Sequence, residues 1–273
     1  MTDTAAPAVS PKYTRQTVLS TRVWPAEKLF SVRVTRDAAF QFLPGQFARL
    51  GLAIQPAAPD TPTEWRAYSM VSHPAENELE FFSVVVPQGK FSPALSLLQP
   101  GDALWIDKTS FGFLTLERFI DGEDLWLIAT GTGLSAYLSM LQDAQTWTRF
   151  KRIILVHGVQ YAHELAYRDE ILRTGAMHAP GQLLYIPITS QEHTAPDLSP
   201  ALKALTAPSR ITTLLDSGEL EQRVGIALDP LRSRVMLCGN PAMVTDMRAR
   251  LSAMGFAPGR RGVAGNLAVE NYW

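Results

Sequence analysis

Three short stretches of this 273-residue chain carry residue types that can do chemistry at useful spacings. Arg66-Ala67-Tyr68-Ser69 offers a cation, a flat ring and a hydroxyl within four residues. On a strand, Arg66 and Tyr68 project to one face and Ser69 to the other or to the strand's end. A flavin dinucleotide needs such a set: a guanidinium for its pyrophosphate, an aromatic for its ring and a hydroxyl for the ring's N5. An ordinary surface strand reads the same way, so the tetrad alone does not choose. Gly131-Thr132-Gly133-Leu134-Ser135-Ala136 fits G-x-G-x-x-A between an apolar run and a helical pattern. Glycines let the backbone approach a phosphate, and a helix N-terminus offers unpaired N–H groups. A tight strand-to-helix turn without a ligand is the competing reading. The usual fingerprint adds an acid about 20 residues further on. Here the second apolar run ends in His157-Gly158-Val159-Gln160, without one. A standard NAD site is therefore not expected, and a nucleotide must be held another way. Cys238 ends the fourth such run, where open α/β sheets place ligands. A small buried hydrophobe is the plainer reading of a lone cysteine there.

The elements that must position these groups change character near Glu117 to Glu123. Before that point, Lys28–Val34, Phe47–Leu52, Trp65–Val71, Leu79–Val86 and Ala103–Asp107 read as short strands. They are punctuated by Leu43-Pro44-Gly45, Pro87-Gln88-Gly89 and Pro100-Gly101-Asp102, with one helical stretch at Phe91–Leu98. That spacing predicts a small antiparallel barrel. Afterwards the apolar runs 124–130, 152–157, 182–188 and 234–238 alternate with helical patterns over 134–144, 162–174 and 242–254. Continuous apolar strands alternating with helices predict a parallel sheet covered on both faces. The expectation is two domains, an antiparallel β-barrel followed by an α/β Rossmann-like parallel sheet.

Composition narrows the classes. Hydrophobic residues make up 46% and charged residues 19%, which argues against disorder and coiled coil. A net charge of -1 supplies no field for nucleic acid. One cysteine excludes an intrachain disulfide, and no cysteine-ligated zinc or iron–sulfur site can come from this chain alone. Residues 1–11 read as a flexible tail rather than a secretory signal. No run nears the roughly 18 apolar residues of a spanning helix, so a cytoplasmic, membrane-free monomer is the default. Leu267–Trp273 stays apolar and aromatic to the end, which suggests docking in a core or on a ligand.

Taken in order, these pieces resemble the bacterial ferredoxin/flavodoxin–NADP+ reductase family. The matching stretches are Arg66–Ser69, Phe82–Val86, Gly89–Ser92, Ala129–Gly133, Val156–Gly158, Cys238–Pro241 with Met243, and Glu270–Trp273. The resemblance implies an FAD-binding barrel over 12–117 and an NADP(H)-binding domain over 118–273. It implies that FAD is held by Arg66, Ala67, Tyr68, Ser69, Phe82, Ser83, Val84, Val85, Lys90, Phe91, Ser92, Thr132 and Asn271. Tyr272 would cover one ring face and Trp273 the adenine. It also implies that NADP(H) meets Thr132, Gly133, Gln160, Ser190, Gln191, Arg210, Gly239, Asn240 and Met243, and that Ser69, Cys238, Glu270 and Tyr272 surround the transfer point. The implied activity moves a hydride between NADP(H) and FAD, then single electrons to ferredoxin or flavodoxin. Such partners are acidic, and Lys90 and Arg260-Arg261 are candidate basic contacts.

One departure bears on specificity. The family holds the 2′-phosphate of NADP(H) with arginines at the positions occupied here by Gln160 and Gln191. Glutamine bonds a phosphate without neutralising it. Arg210 and Ser190 remain, and no acid is evident to repel the phosphate. Weakened NADPH selectivity with use of NAD(H) is therefore the alternative expectation. Readings from other classes are a free-standing flavin reductase and a nucleotide-sensing protein without turnover.

Overall fold

The computed structural model describes residues 12–55, 60–192, 207–260 and 263–271. Six antiparallel strands form the first sheet: β1 (Tyr13–Val23), β2 (Leu29–Thr35), β3 (Phe47–Leu52), β4 (Glu64–Ser69), β5 (Glu78–Val84) and β6 (Ala103–Asp107). Their order is β4-β3-β6-β1-β2-β5, and a bridge between Met70 and Phe81 brings the two edges together into a nearly closed barrel. Helix α1 (Phe91–Ser96) plugs one end, burying Phe91 and Leu95 among Val18, Phe30, Val32, Leu50, Phe81 and Leu104.

Strand β1 has no counterpart among the strands expected from sequence. It reads as surface because Thr14, Gln16, Ser20 and Arg22 interrupt its pattern. It nevertheless pairs with β6 on one side and β2 on the other. Strand β2 is almost wholly buried because both of its faces are covered. Phe30, Val32 and Val34 face the barrel core, while Leu29 joins the cluster shared with the second sheet.

The second sheet is parallel, in the order β11-β10-β7-β8-β9. Its strands are β7 (Asp124–Thr130), β8 (Arg152–Val159), β9 (Leu183–Thr189), β10 (Ser233–Gly239) and β11 (Leu267–Asn271). Buried on both faces, β7, β8 and β10 read as continuous apolar runs. On the barrel side lie α2 (Ser135–Leu141), α3 (Ala144–Arg149) and α4 (Arg168–Ala176). On the far side lie α5 (Ile211–Asp216), α6 (Glu219–Val224) and α7 (Pro241–Ala253).

Two expected helices prove to be interrupted. The first stops at Leu141 and restarts after Asp143, whose side chain accepts the Gln145 N–H at 3.0 Å as an N-cap. The second is a short 3-10 turn, Ala162–Glu164, separated from α4 by Tyr167 in a left-handed conformation (φ 59°). The short helices α5 and α6 were not evident from periodicity at all.

Candidate active site

The strand order reverses between β7 and β10, and open sheets place ligands in the crevice beyond such a point. Residues 131–134, a 3-10 turn, follow β7 directly. Gly131 is left-handed (φ 53°), and a Cβ there would meet nothing within 4 Å, so its face toward the crevice is open. Gly133 is the opposite case. A Cβ there would stand 2.7 Å from the backbone of both Cys238 and Gly239, so glycine is what lets the loop pack on the end of β10. From that end, the Asn240 N–H reaches Thr130 Oγ1 at 2.8 Å. The Asn240 side chain accepts from Ala242 and Met243 N–H, capping α7, with Pro241 at its first position.

Behind the loop stands His157, fully buried. Its Nε2 is 3.3 Å from the Gly131 carbonyl and its Nδ1 is 3.3 Å from the Tyr185 hydroxyl. A carbonyl can only accept, so the neutral ring donates from Nε2 and accepts from Tyr185 at Nδ1. Burial is the main cause that lowers this imidazole to about 4; the Gly131 bond and Glu164 oppose it weakly.

These ends border a cleft of about 600 Å³. Thr132, Gln160, Ser190, Arg210, Asn240 and Met243 line it, six of the residues expected at a nucleotide. Gly133 and Gly239 sit behind its wall, and Gln191 is exposed, its N–H on the Gln160 carbonyl at 3.0 Å. The barrel supplies Lys28, Leu29 and Val84 to the opposite wall.

The expectation that no acid stands near position 160 fails. Glu164 lines the cleft, and its carboxylate folds back to accept the N–H groups of Gln160 (2.8 Å) and Tyr161 (3.3 Å). Burial alone would raise this carboxyl. The Lys28 ammonium, 2.5 Å away, and the two N–H groups together hold it below its ordinary value. The acid comes four residues past Gln160, across a turn that periodicity does not show.

The barrel groups meet where its edges join. On β4, Arg66 is exposed, with Nη1 2.7 Å from the Trp65 carbonyl; Ala67 is exposed beside it. Tyr68 is half-buried, stacked on Phe91 at 5.8 Å between centroids, its hydroxyl 3.4 Å from Ser83 Oγ on β5. Burial raises its phenol, against smaller opposing effects from Ser83 and Arg66. Phe82 points away into the core against Trp24 and Tyr167, while Val84 and Val85 are half-buried. Lys90 is exposed at the start of α1, and the buried Ser92 hydroxyl accepts the Val86 N–H at 2.9 Å. An exposed guanidinium and ammonium beside a ring anchored from behind fit a flavin dinucleotide's phosphates and ring.

Cys238 and Glu270 are register partners on β10 and β11, with Asn271 exposed beyond them opposite Gly239. Glu270 Oε1 accepts the Phe113 N–H at 2.9 Å. Phe111 pairs with Phe47, whose strand neighbour is the buried Ser69. Loop 111–113 therefore links the three polar groups. Gly112 (φ 111°) makes that possible, since a Cβ would lie 2.9 Å from Glu270 Oε1. Tyr272 and Trp273 lie outside the described residues.

Known proteins are similar to this chain over most of its length. The oxidoreductase NAD-binding domain family matches residues 127–249. A protein of Sorangium cellulosum named ferredoxin–NADP reductase A is 36% identical over 272 residues, covering 95% of this chain and 90% of its own. The flavodoxin/ferredoxin–NADP reductase of Escherichia coli is 36% identical over 260 residues, 92% of this chain and 99% of its own. A crystal structure of a ferredoxin NADP+ reductase from Neisseria gonorrhoeae, with bound FAD and NADP, superimposes with a TM-score of 0.83 at 32% identity. It covers 97% of this chain and 100% of that one.

Proposed function

The chain belongs to the ferredoxin/flavodoxin–NADP+ reductase family, and on that premise we propose that it exchanges reducing equivalents between NADP(H) and ferredoxin or flavodoxin through FAD. The observation that carries this is the joining of the two halves at one place. Val84, which lines the cleft with Thr132, Arg210 and Asn240, ends β5, and its neighbour Ser83 on that strand reaches the Tyr68 hydroxyl on the barrel edge at 3.4 Å. Bound FAD supplies the chemistry, accepting a hydride and releasing electrons singly.

The protein's part is to bind, orient and shield. Arg66 and Lys90 meet the FAD pyrophosphate, and Tyr68 carries one ring face. The loop over 131–133 receives the nicotinamide nucleotide, with Arg210, Ser190 and Gln160 toward its 2′-phosphate. Ser69, Cys238 and Glu270 form the polar edge of the transfer point. By the family resemblance Tyr272 and Trp273, outside the described residues, would be the residues that meet the second ring face and the adenine. Residues 12–117 form the FAD unit and 118–273 the nucleotide unit. The alternative of an NADH-tolerant reductase is not favoured: the relatives are named NADP reductases, and the Neisseria structure holds NADP. Among the described residues, no helix is long and apolar enough to cross a membrane.

Purified protein should be yellow, release FAD on denaturation, bleach with NADPH anaerobically and pass electrons to a flavodoxin. Colourless protein that takes up no FAD would falsify this reading.

A further inference from the structure

Membership of the family leaves a charge problem at the nucleotide cleft. Positions 160 and 191 are glutamines, and Arg210 is the one arginine among the described residues lining the cleft. NADPH brings a pyrophosphate and a 2′-phosphate dianion. Two carboxylates, Glu164 and Asp246, line the same cleft and oppose them.

A second cation stands on the barrel wall. Lys28 lines the cleft, and its Nζ lies 2.5 Å from Glu164 Oε1. The Lys28 side chain is 50% exposed while that of Glu164 is 7% exposed. An ammonium has three donors. One faces Glu164, and exposure of the side chain leaves room for an anion at the others. Glu164 Oε2 meanwhile holds the N–H of Gln160. One carboxylate thus fastens the ammonium beside the backbone of position 160.

We infer that Lys28, positioned by Glu164, is a specificity-determining cation for the 2′-phosphate of NADP(H) in this chain. The inference rests on the NADP(H) reading above and deepens it. Lys28 offsets the missing arginines from the opposite wall, and it screens the Glu164 carboxylate, which by itself repels the dianion. Closing on the nucleotide, the ammonium bridges carboxylate and phosphate, and NADPH is favoured over NADH.

The test is calorimetric titration of the FAD-loaded enzyme with 2′-phospho-AMP and with 5′-AMP, alongside kcat/KM for NADPH and NADH. Lys28→Gln should weaken 2′-phospho-AMP about tenfold, the size of one charge-assisted bond. Binding of 5′-AMP should stay within about twofold, as for groups that never meet. The NADPH to NADH ratio should fall in parallel. Glu164→Gln keeps an acceptor for the two N–H groups but unfastens the ammonium while removing a repelling charge, so 2′-phospho-AMP should change by less than in Lys28→Gln and 5′-AMP should not change. A merely structural pair predicts loss in both variants and for both nucleotides. Equal weakening of the two nucleotides by Lys28→Gln, or no change in either, overturns the inference while the reductase reading stands. Wild-type enzyme that binds no 2′-phospho-AMP and is not reduced by NADPH overturns both.

Discussion

His157 shows how much of a site can rest on a buried residue that does not itself line the cleft. Its ring props the Gly131 carbonyl and is neutral because it is buried. In the unfolded chain a histidine titrates near 6.5; in the fold this one titrates at about 4. The unfolded state therefore binds the extra proton first, and stability falls as pH drops through the window between those values. Between pH 7.5 and pH 5 the loss from this group is about 2 kcal/mol. Urea midpoints of wild type and His157→Gln at both pH values check it; an equal acid loss in the two proteins sinks the assignment. Gly133 is the companion case. Gly133→Ala would drive a methyl into the backbone of Cys238 and Gly239, at a cost of about 1–3 kcal/mol. An unchanged melting temperature would show that the loop can move away. Gly133 was legible in the sequence from the G-x-G-x-x-A pattern. His157 was visible as the end of an apolar run and within a stretch matching the family, but not in its role, which depends on Tyr185, a strand away.

At the scale of elements, the turn between β8 and α4 ties the second sheet to the barrel. Tyr167 is the one non-glycine residue with positive φ among the described residues. The strain is held because its ring inserts between Trp24 (4.4 Å between centroids) and Phe82 (5.2 Å) on the barrel. Its hydroxyl lies 2.6 Å from Glu80 Oε1 and 2.8 Å from Ser31 Oγ. Burial, then the Glu80 carboxylate, push the phenol well above its ordinary range, so it remains a donor to Glu80. Tyr167→Phe should cost about 1–2 kcal/mol by leaving those partners unmatched. Tyr167→Ala should cost about 3–5 kcal/mol, as for other large rings. Denaturant titration of both variants decides; a Phe variant as damaging as the Ala variant would mean the ring contributes little. The helical periodicity across 162–174 could not reveal this break. The signal was not in local propensity but in the barrel pocket that receives the ring.

Across the whole molecule, the two sheets share a core. One buried cluster contains Trp24, Ala26, Leu29, Val71 and Phe82 from the barrel together with Leu125, Leu127 and Leu155 from the second sheet and Tyr137 and Met140 from α2. Domain count and sheet type were readable from the change in rhythm near residue 120. The shared core was not, because β2 and β5 look like ordinary barrel strands until their outer faces are found covered. Two units joined this way should unfold together. Far-ultraviolet circular dichroism and tryptophan fluorescence should give coincident melts. Two separated transitions would show that the halves are energetically independent.

The joint has a practical side for anyone building hybrids. A cut between Asp107 and Asp124 severs one covalent connection. It leaves Arg22 with Glu170, Tyr167 with Ser31 and Glu80, Ser139 Oγ with the Ser72 carbonyl, and Gln142 Nε2 with the Val71 carbonyl. A nucleotide half grafted from a cousin would arrive without these handholds unless its recipient surface were transplanted too. The unit of modular exchange in this protein is a pair of faces, not a length of chain.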